Sequence, residues 1–154
     1  MKGTYEVDSV EETWAVAREF AATIRPGDVV CLEGDLGAGK TTFTQGLAAA
    51  LGAEGRVTSP TFCIVREHPC PKIPHGITGI VHMDLYRLKS ADDLEAIGWE
   101  DYLSKGAVIV VEWPERAEEI IPAKAKRVVF RHPESGEISE NRIITIDMEP
   151  KDLV

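Results

Sequence analysis

The chain has 154 residues, of which 44% are hydrophobic and 28% are charged. This length allows one α/β domain with a substantial core and is too short for two, so we expect a single domain over residues 1–154. The formal net charge of −9 argues against direct binding to nucleic acid, because neutralising phosphates requires clustered Lys and Arg. Any role on RNA should therefore run through a protein partner.

The sequence also argues against a membrane or secreted protein. No basic segment followed by an apolar core stands at its start, and no apolar run approaches the length that spans a bilayer. We therefore expect a soluble, cytoplasmic protein without a membrane partner. The three cysteines fit reduced thiols in that compartment, and we expect Cys31 and Cys63 to be small buried side chains in strands.

The first predicted elements are an edge strand and an amphipathic helix. Residues 3–7 alternate weakly and predict the strand, after which Asp8 or Ser9 can cap the helix. Apolar residues then recur at helical spacing, and residues 25–27 end the pattern. The stripe consists of Trp14, Ala17, Phe20, Ala21 and Ile24. We expect it to pack in the core, with stacking of Trp14 on a nucleotide base as the alternative.

A phosphate-binding loop follows, and the rest of the chain is organised around it. The pattern G-x-x-x-x-G-K-[ST] is matched at every fixed position, between a strand-like run at 28–32 and a helical pattern at 41–51 that Gly52 closes. Glycines allow successive N–H groups to turn toward an anion, and the helix adds the positive end of its dipole. The predicted nucleotide-binding residues are Gly34, Asp35, Leu36, Gly37, Ala38, Gly39, Lys40, Thr41 and Thr42.

Within this loop, three side chains have predicted roles of their own. Lys40 supplies a full charge for the outer phosphates of a nucleoside triphosphate. Thr41 can place its hydroxyl on Mg²⁺, and Thr42 can reach the inner phosphate. A glycine-rich turn that merely joins strand to helix is the alternative, and the correct elements on both sides of the motif argue against it.

Residues 57–79 are predicted to contain two loops and a strand. Pro60 forces the residue before it to be extended, and a strand-like run follows at 62–65. A hydroxyl from Ser59 or Thr61 on such a loop can sense the outermost phosphate, with a plain turn as the alternative. Residues 68–79 hold three prolines and two glycines, which predicts a mobile loop or hairpin connection.

Four residues near this loop raise the hypothesis of a zinc site. They are His68, Cys70, His75 and His82. Their spacing contains neither a paired C-x-x-C nor an H-x₃₋₅-H arrangement, and a fourth ligand would have to come from a separate strand. The spacing therefore disfavours zinc.

Two carboxylates are predicted at the ends of strands. The run at 79–87 delivers Asp84 near its end, and the continuous β-branched run at 107–111, typical of a buried parallel strand, delivers Glu112. Ligands of open α/β sheets bind at this edge, and a carboxylate placed like Asp84 can orient water or hold the Mg²⁺ shell there. For Glu112 the alternative is a cap on a helix over 115–121.

The remaining predicted elements complete an α/β pattern. Ser90 and Asp93 form a capping signature for a short helix that reaches Gly98, and the helical pattern continues beyond it. Runs at 127–130 and 141–146 predict two strands of a hairpin. Residues 151–154 are expected to be a frayed tail.

Taken alone, the residues indicate a Mg²⁺-dependent nucleoside triphosphatase. Guanine readers usually carry an Asn-Lys-x-Asp stretch, which is absent, so ATP is favoured over GTP. A small-molecule kinase would be expected to bring an Arg-rich lid over the transferred phosphate. The loop at 68–79 offers only Lys72, which makes a kinase the third choice.

Four blocks of the chain, in order, resemble the TsaE family of bacterial ATPases for tRNA threonylcarbamoyladenosine biosynthesis. The blocks are residues 34–43, 59–62, 82–88 and 111–114, and the similarity spans about 28–114. The resemblance implies a three-layer α/β phosphate-loop NTPase fold with a mixed, partly parallel central sheet. It also implies a hydrolase that is weak alone and binds the TsaB and TsaD proteins, reaching tRNA only through them.

The resemblance implies roles for individual residues as well. Lys40 resembles the phosphate lysine, Thr41 and Glu112 resemble the Mg²⁺ ligands, and Asp84 resembles the carboxylate that orients the hydrolytic water. The switch-like loop corresponds to Ser59, Pro60 and Thr61. Trp113 is similar to a tryptophan beside the nucleotide, with ordinary packing as the alternative, and residues 9–13 match a segment near the nucleotide only loosely.

In this interpretation, ATP hydrolysis supports turnover of the modifying complex and does not donate the modification. A second interpretation comes from another functional class. It is an ATP-gated binding module, in which nucleotide occupancy sets partner affinity and hydrolysis is incidental. Phosphate release measured with and without partner proteins separates the two.

Overall fold

The computed structural model describes residues 2–34, 39–54, 65–70, 76–96, 98–132 and 142–146. The described strands are β1 (Gly3–Val7), β2 (Val29–Glu33), β3 (Val65–Pro69), β4 (Gly79–Asp84), β5 (Val108–Glu112), β6 (Lys126–Arg131) and β7 (Arg142–Ile146). The described α-helices are α1 (Val10–Ala21), α2 (Lys40–Leu51), α3 (Ala91–Ala96) and α4 (Trp99–Leu103).

The strands form one mixed sheet in the order β1-β7-β6-β2-β5-β4-β3. The four central strands, β6, β2, β5 and β4, run parallel to one another, while β1, β7 and β3 pair antiparallel with their neighbours. Every residue of β5 is buried, which fits its continuous apolar sequence. The mixed, partly parallel central sheet is therefore confirmed.

Helices cover the sheet on both faces, as predicted for three layers. Alternate residues of β2 point to different cores: Val30 and Leu32 pack with α1 and α2, whereas Val29 and Cys31 pack with α3 and α4. On the first face, Phe43 of α2 lies with its ring centroid 5.6 Å from that of Phe20 in α1. The layers leave the carboxyl ends of the parallel strands at one edge of the sheet.

The start of α1 follows the predicted capping chemistry. Ser9 is the N-cap, and its hydroxyl oxygen accepts the N–H of Glu12 at 3.1 Å. The Glu12 carboxylate in turn accepts the N–H of Asp8 at 2.8 Å. The helix ends at Ala21, earlier than the apolar stripe suggested, although Ile24 beyond it is still buried.

The prediction that Trp14 lies in the core is wrong. Its side chain is 39% exposed, and only one edge of it covers Gly46, where α1 packs on α2. A Cβ atom on Gly46 would approach Cδ1 of Trp14 to 2.9 Å. The glycine therefore allows the two helices to approach closely.

Three further predictions are corrected or limited by the structure. His68 and Pro69 belong to β3, not to a loop, since an edge strand tolerates proline. The segment expected to be a helix over 115–121 forms two short 3₁₀ turns, Pro114–Arg116 and Glu118–Ile120. The strand-like run at 62–65 lies outside the described residues except for Val65, as do Cys63, residues 71–75 of the predicted mobile loop and the tail at 151–154.

Other expectations agree with the described part of the chain. Gly52 closes α2 with a φ of 76°, and Cys31 is buried in β2. Neither α1 nor α2, each 12 residues long, nor any shorter described helix could cross a bilayer. The described residues contain no group of three or more His, Cys, Asp and Glu placed to hold a metal ion. His75 lies outside them, so the zinc hypothesis is not tested.

Candidate active site

The carboxyl ends of β2, β4 and β5 bring the predicted polar residues to one place. In the register of the parallel strands, Leu32 of β2 and Asp84 of β4 both lie opposite Glu112 of β5. After β2 the chain passes through Gly34, and α2 begins at Lys40. The phosphate-loop lysine and both predicted carboxylates therefore share this edge of the sheet.

The Lys40 ammonium group is held inside the protein by three different groups. Its Nζ donates a hydrogen bond of 2.7 Å to the carbonyl oxygen of Gly34 and lies 3.9 Å from Oε1 of Glu112. It also lies 4.4 Å from the centroid of a Trp113 ring, within cation–π range. Only 6% of the side chain is exposed. A buried cation in this setting favours the arrival of an anion.

Backbone geometry adds to this preference for an anion. Gly34 and Gly39 have φ values of 149° and 102°, which side chains with a Cβ rarely adopt. Gly39 is the N-cap of α2 and provides no side-chain hydrogen bond to the helix. The first-turn N–H groups of this 12-residue helix therefore have no cap from the side chain of the N-cap residue, and such groups at a helix N-terminus favour an anion.

Glu112 is almost completely buried and is fixed from β4. Its side chain is 6% exposed, and Oε2 lies 2.7 Å from Nε2 of His82, which is fully buried. An ionised carboxylate can only accept hydrogen bonds, so with Glu112 ionised this contact requires the Nε2–H tautomer of His82. The other ring nitrogen, Nδ1, is buried without a hydrogen-bond partner. With Oε2 on His82 and Oε1 toward Lys40, Glu112 does not cap the turn that follows, so that alternative is wrong.

Asp84 has a different environment although it lies beside Glu112. Its Oδ1 accepts the N–H of Tyr86 at 2.9 Å, and the residue is half-buried. Burial raises the pKa of the Asp84 carboxyl, and the charge of Glu112 raises it further. The Tyr86 N–H and the charge of Lys40 oppose the rise without cancelling it. Asp84 therefore has more affinity for a proton than an ordinary aspartate.

Trp113 takes an unusual backbone conformation directly after Glu112. Its φ of 59° is the one positive φ among the non-glycine residues that the structure describes. Its ring lies 4.9 Å from that of Tyr86, which is 52% exposed, and Arg116 lies 5.5 Å from the Tyr86 ring. The strained backbone thus places one aromatic ring between the buried Lys40 and an exposed tyrosine.

A second charged cluster supports the strand that leads into the loop. Arg127 of β6 donates a hydrogen bond of 3.0 Å to Glu33 at the end of β2 and binds both carboxylate oxygens of Glu118. The Glu118 hydrogen bond is the main cause of a raised Arg127 pKa, so this guanidinium stays charged. It holds Glu33, and with it the start of the phosphate loop, against β6.

The known proteins that are similar to this chain share one family description. The family model described as Threonylcarbamoyl adenosine biosynthesis protein TsaE matches residues 7–143. The chain belongs to the TsaE family. A curated tRNA threonylcarbamoyladenosine biosynthesis protein TsaE from Bacillus subtilis is 44% identical over 121 residues, which cover 79% of this chain and 72% of the relative.

Further TsaE-family similarity extends over most of the chain. A protein with the same name from Streptomyces coelicolor is 41% identical over 132 residues, 85% of this chain and 86% of the relative. Among solved structures, a crystal structure of Bacillus subtilis YdiB superposes with a TM-score of 0.73 at 32% identity. It covers 99% of this chain and 90% of the other. The fold predicted from resemblance to TsaE is thereby confirmed.

Within this TsaE-family chain, part of the predicted site lies in the described residues. The structure brings together Gly34, Gly39, Lys40, Asp84, Glu112 and Trp113. Thr41 and Thr42 lie in the first turn of α2, each partly exposed. Outside the described residues lie Asp35, Leu36, Gly37, Ala38, Ser59, Pro60 and Thr61. The roles assigned to all these residues stay predictions.

Two residues of the site were missed in the sequence. The sequence pattern predicts His82 only as a candidate zinc ligand and Arg127 only as part of a strand. A signal for His82 existed: it stands two residues before Asp84 in an otherwise apolar strand, and strand periodicity puts both on one face. Arg127 gives no comparable signal, because Glu33 lies 94 residues away in the sequence and Glu118, nine residues away, belongs to a different element.

Proposed function

We propose that this protein is a Mg²⁺-dependent ATPase that binds the TsaB–TsaD complex. Its hydrolysis supports turnover of that complex as N6-threonylcarbamoyladenosine forms next to the tRNA anticodon. The observation that carries the proposal is the buried Lys40 ammonium at the N-terminus of α2, 2.7 Å from the Gly34 carbonyl. Phosphate oxygens can replace that carbonyl and use the helix N–H groups as well.

The residues at this edge fit a magnesium ion. Mg²⁺ prefers oxygen ligands and is usually bound by one or two carboxylates together with substrate phosphates. Glu112 offers a buried carboxylate whose Oε1 faces Lys40, and Thr41 offers a hydroxyl in the first turn of α2. These two residues would hold the ion, which supplies neutralisation of charge on the phosphate oxygens when bound.

In the proposed reaction, water attacks the terminal phosphorus of ATP and the bond to the β-phosphate oxygen breaks, which gives ADP and inorganic phosphate. Lys40 and the N–H groups of α2 would stabilise charge on the phosphate oxygens. Asp84 would orient the water and accept its proton. Its raised pKa suits this role, since a base is most effective when its pKa lies closer to the working pH.

The partners follow from the family and from the charge. Relatives that cover most of this chain are named for tRNA threonylcarbamoyladenosine biosynthesis. A net charge of −9 disfavours direct contact with tRNA phosphates, which supports contact through proteins of the modifying complex. TsaB and TsaD are the proposed proteins, and the cytoplasm is the proposed location.

Phosphate release by the purified protein, alone and with TsaB, TsaD and tRNA, tests the proposal. We expect a weak rate alone and stimulation by the partners. Lys40→Met should lower the stimulated rate about 10²-fold or more, as loss of a group that stabilises transition-state charge typically does. Lys105→Met is the matched control, since Lys105 is 52% exposed. Hydrolysis by Lys40→Met at the wild-type rate would refute the proposal.

One observation favours the second function, an ATP-gated binding module. The rings of Trp113 and Tyr86 connect the buried Lys40 to an exposed surface. A ligand that draws Lys40 away would therefore change the surface that a partner protein contacts. Affinity for TsaB and TsaD, measured with ADP, ATP and a non-hydrolysable ATP analogue, separates the two functions. Affinity that depends on the nucleotide without partner-stimulated hydrolysis supports the module.

A further inference from the structure

We infer that His82 is the positioning residue for Glu112, holding one carboxylate oxygen so that the other faces the phosphate loop. The inference deepens the proposed function, because it rests on Glu112 as a ligand of Mg²⁺. Nothing in the family resemblance assigns a role to this histidine. Both side chains are buried, and a hydrogen bond joins them.

The sheet register explains how His82 reaches Glu112. On neighbouring parallel strands, His82 is the register partner of Val110 and Asp84 is the partner of Glu112. His82 is thus the diagonal neighbour of Glu112 on the same face, two residues before Asp84. Its Nε2 lies 2.7 Å from Oε2 of Glu112. One strand therefore carries both the residue that fixes Glu112 and the carboxylate beside it.

The burial of His82 indicates that this strand position holds a histidine because of its hydrogen bond to Glu112. The side chain is fully buried, and Nδ1 has no partner. An apolar residue would fill this strand position without leaving a buried polar atom unsatisfied. The interaction with Glu112 is the hydrogen bond that the structure shows for this ring.

Lys40 shows what the positioning prevents. Its Nζ already forms a long ion pair with Oε1 of Glu112 at 3.9 Å, and a small shift of either side chain would shorten this contact to a hydrogen bond. A hydrogen-bonded pair would occupy the lysine needed for phosphate and the oxygen needed for Mg²⁺. By holding Oε2, His82 keeps the carboxylate from closing onto Lys40. Partner residues of this kind around metal ligands change metal affinity about 10- to 100-fold when they are removed.

Four variants test the inference with Mn²⁺ as a paramagnetic probe. Binding of Mn²⁺ to the protein–ADP complex is followed by electron paramagnetic resonance, and ADP affinity is measured separately in EDTA. We expect His82→Leu to weaken Mn²⁺ binding about tenfold and to keep metal-free ADP affinity. His82→Gln, whose amide N–H can replace Nε2–H, should restore most of the loss. Thr145→Val removes another buried polar group, in β7 away from His82, and should match the wild type.

The fourth variant, Glu112→Gln, separates failure of the inference from failure of the proposed function. Wild-type Mn²⁺ affinity in His82→Leu, together with a loss in Glu112→Gln, overturns the inference and leaves the magnesium role intact. Wild-type Mn²⁺ affinity in both His82→Leu and Glu112→Gln overturns the inference and the magnesium role of Glu112 together. Should His82→Leu not fold, the ¹⁵N chemical shifts of the wild-type His82 ring decide: a proton on Nε2 supports the inference, and one on Nδ1 alone overturns it.

Discussion

Asp84 and Glu112 are register partners on neighbouring parallel strands, yet their carboxylates are held in different ways. Glu112 is almost completely buried against His82, whereas Asp84 is half-buried and accepts the N–H of Tyr86 from its own turn. Burial is the main cause of the raised Asp84 pKa. Two neighbouring carboxylates in unlike surroundings can divide the chemistry, one holding an ion and the other a proton.

Asp84→Asn should separate binding from turnover. The amide keeps an oxygen for the Tyr86 N–H but cannot accept a proton from water, so we expect unchanged ATP affinity and a rate about 10²- to 10⁴-fold lower. Equilibrium binding of ATP and partner-stimulated phosphate release measure the two effects. Asp92→Asn, in the exposed first turn of α3, serves as the control. A variant as active as wild type would remove the proton-accepting role of Asp84.

The same substitution should change stability in a pH-dependent way. The pKa of Asp84 is higher in the folded chain than in the unfolded chain, so ionisation favours unfolding at any pH above the unfolded pKa of about 4. Asp84→Asn should therefore raise the melting temperature at pH 7. The gain should shrink as the pH falls from 7 through the raised folded pKa, and it should vanish below the unfolded pKa of about 4, where both states are protonated. Melting curves from pH 3 to 8 show whether it does; a variant less stable than wild type at pH 7 contradicts the assigned pKa direction.

For residues 107–146, the sequence predicts the buried central strand but not the 3₁₀ turns that follow it. The continuous apolar run before Glu112 predicted a buried central strand, because only burial on both faces suits such a run. The 3₁₀ turns after Trp113 were not predictable from spacing. Trp113 enters the first turn with a left-handed backbone, and Ala117 interrupts helical geometry with a φ of −145°. Both conformations depend on how the chain packs beneath the sheet edge.

Within residues 65–79, the local sequence predicts the wrong kind of element. Prolines and glycines predicted a loop, but pairing with β4 made His68 and Pro69 part of an edge strand. Edge position removes the penalty that proline carries inside a sheet, and edge position is a property of the whole topology. The residues of the site also differ in how far the sequence predicts them. A local motif identifies Lys40, whereas the contact between His82 and Glu112 joins residues that are 30 positions apart in the sequence.

Trp113 should report nucleotide binding. Its ring lies 4.4 Å from the Lys40 ammonium, and phosphates that draw the ammonium away would change the charge near the indole. We expect ADP or ATP to change tryptophan emission in a Trp14→Phe, Trp99→Phe chain, whose remaining tryptophan is Trp113. Adding Lys40→Met should remove most of the change. An emission spectrum that stays constant as nucleotide saturates the site would show that Lys40 does not move away from the ring.

Gly46→Val should weaken the packing of α1 on α2. A Cβ at this position would meet Cδ1 of Trp14 at 2.9 Å and the Ala17 Cβ at 3.0 Å, so the helices must separate. Overpacking of this kind costs about 1–3 kcal/mol of unfolding free energy. Ala50→Val, on the exposed side of α2, should lose no more than about 0.7 kcal/mol from helix propensity. Urea unfolding of the two variants measures both values. Equal losses of unfolding free energy would mean that α1 moves away from α2 without strain.

The buried thiols should be unreactive while the chain is folded. Burial raises the pKa of Cys31 to about 12 and also raises the pKa of Cys70, so both are protonated at pH 8. The thiolate is the reacting form, and access is blocked as well. In a Cys63→Ser chain we expect negligible reaction with a disulfide reagent at pH 8 without denaturant, and rapid modification of both thiols in urea. Raising the pH from 7 to 9 should accelerate the reaction only in urea. One thiol that reacts quickly in the folded chain would show that its strand or loop opens without global unfolding.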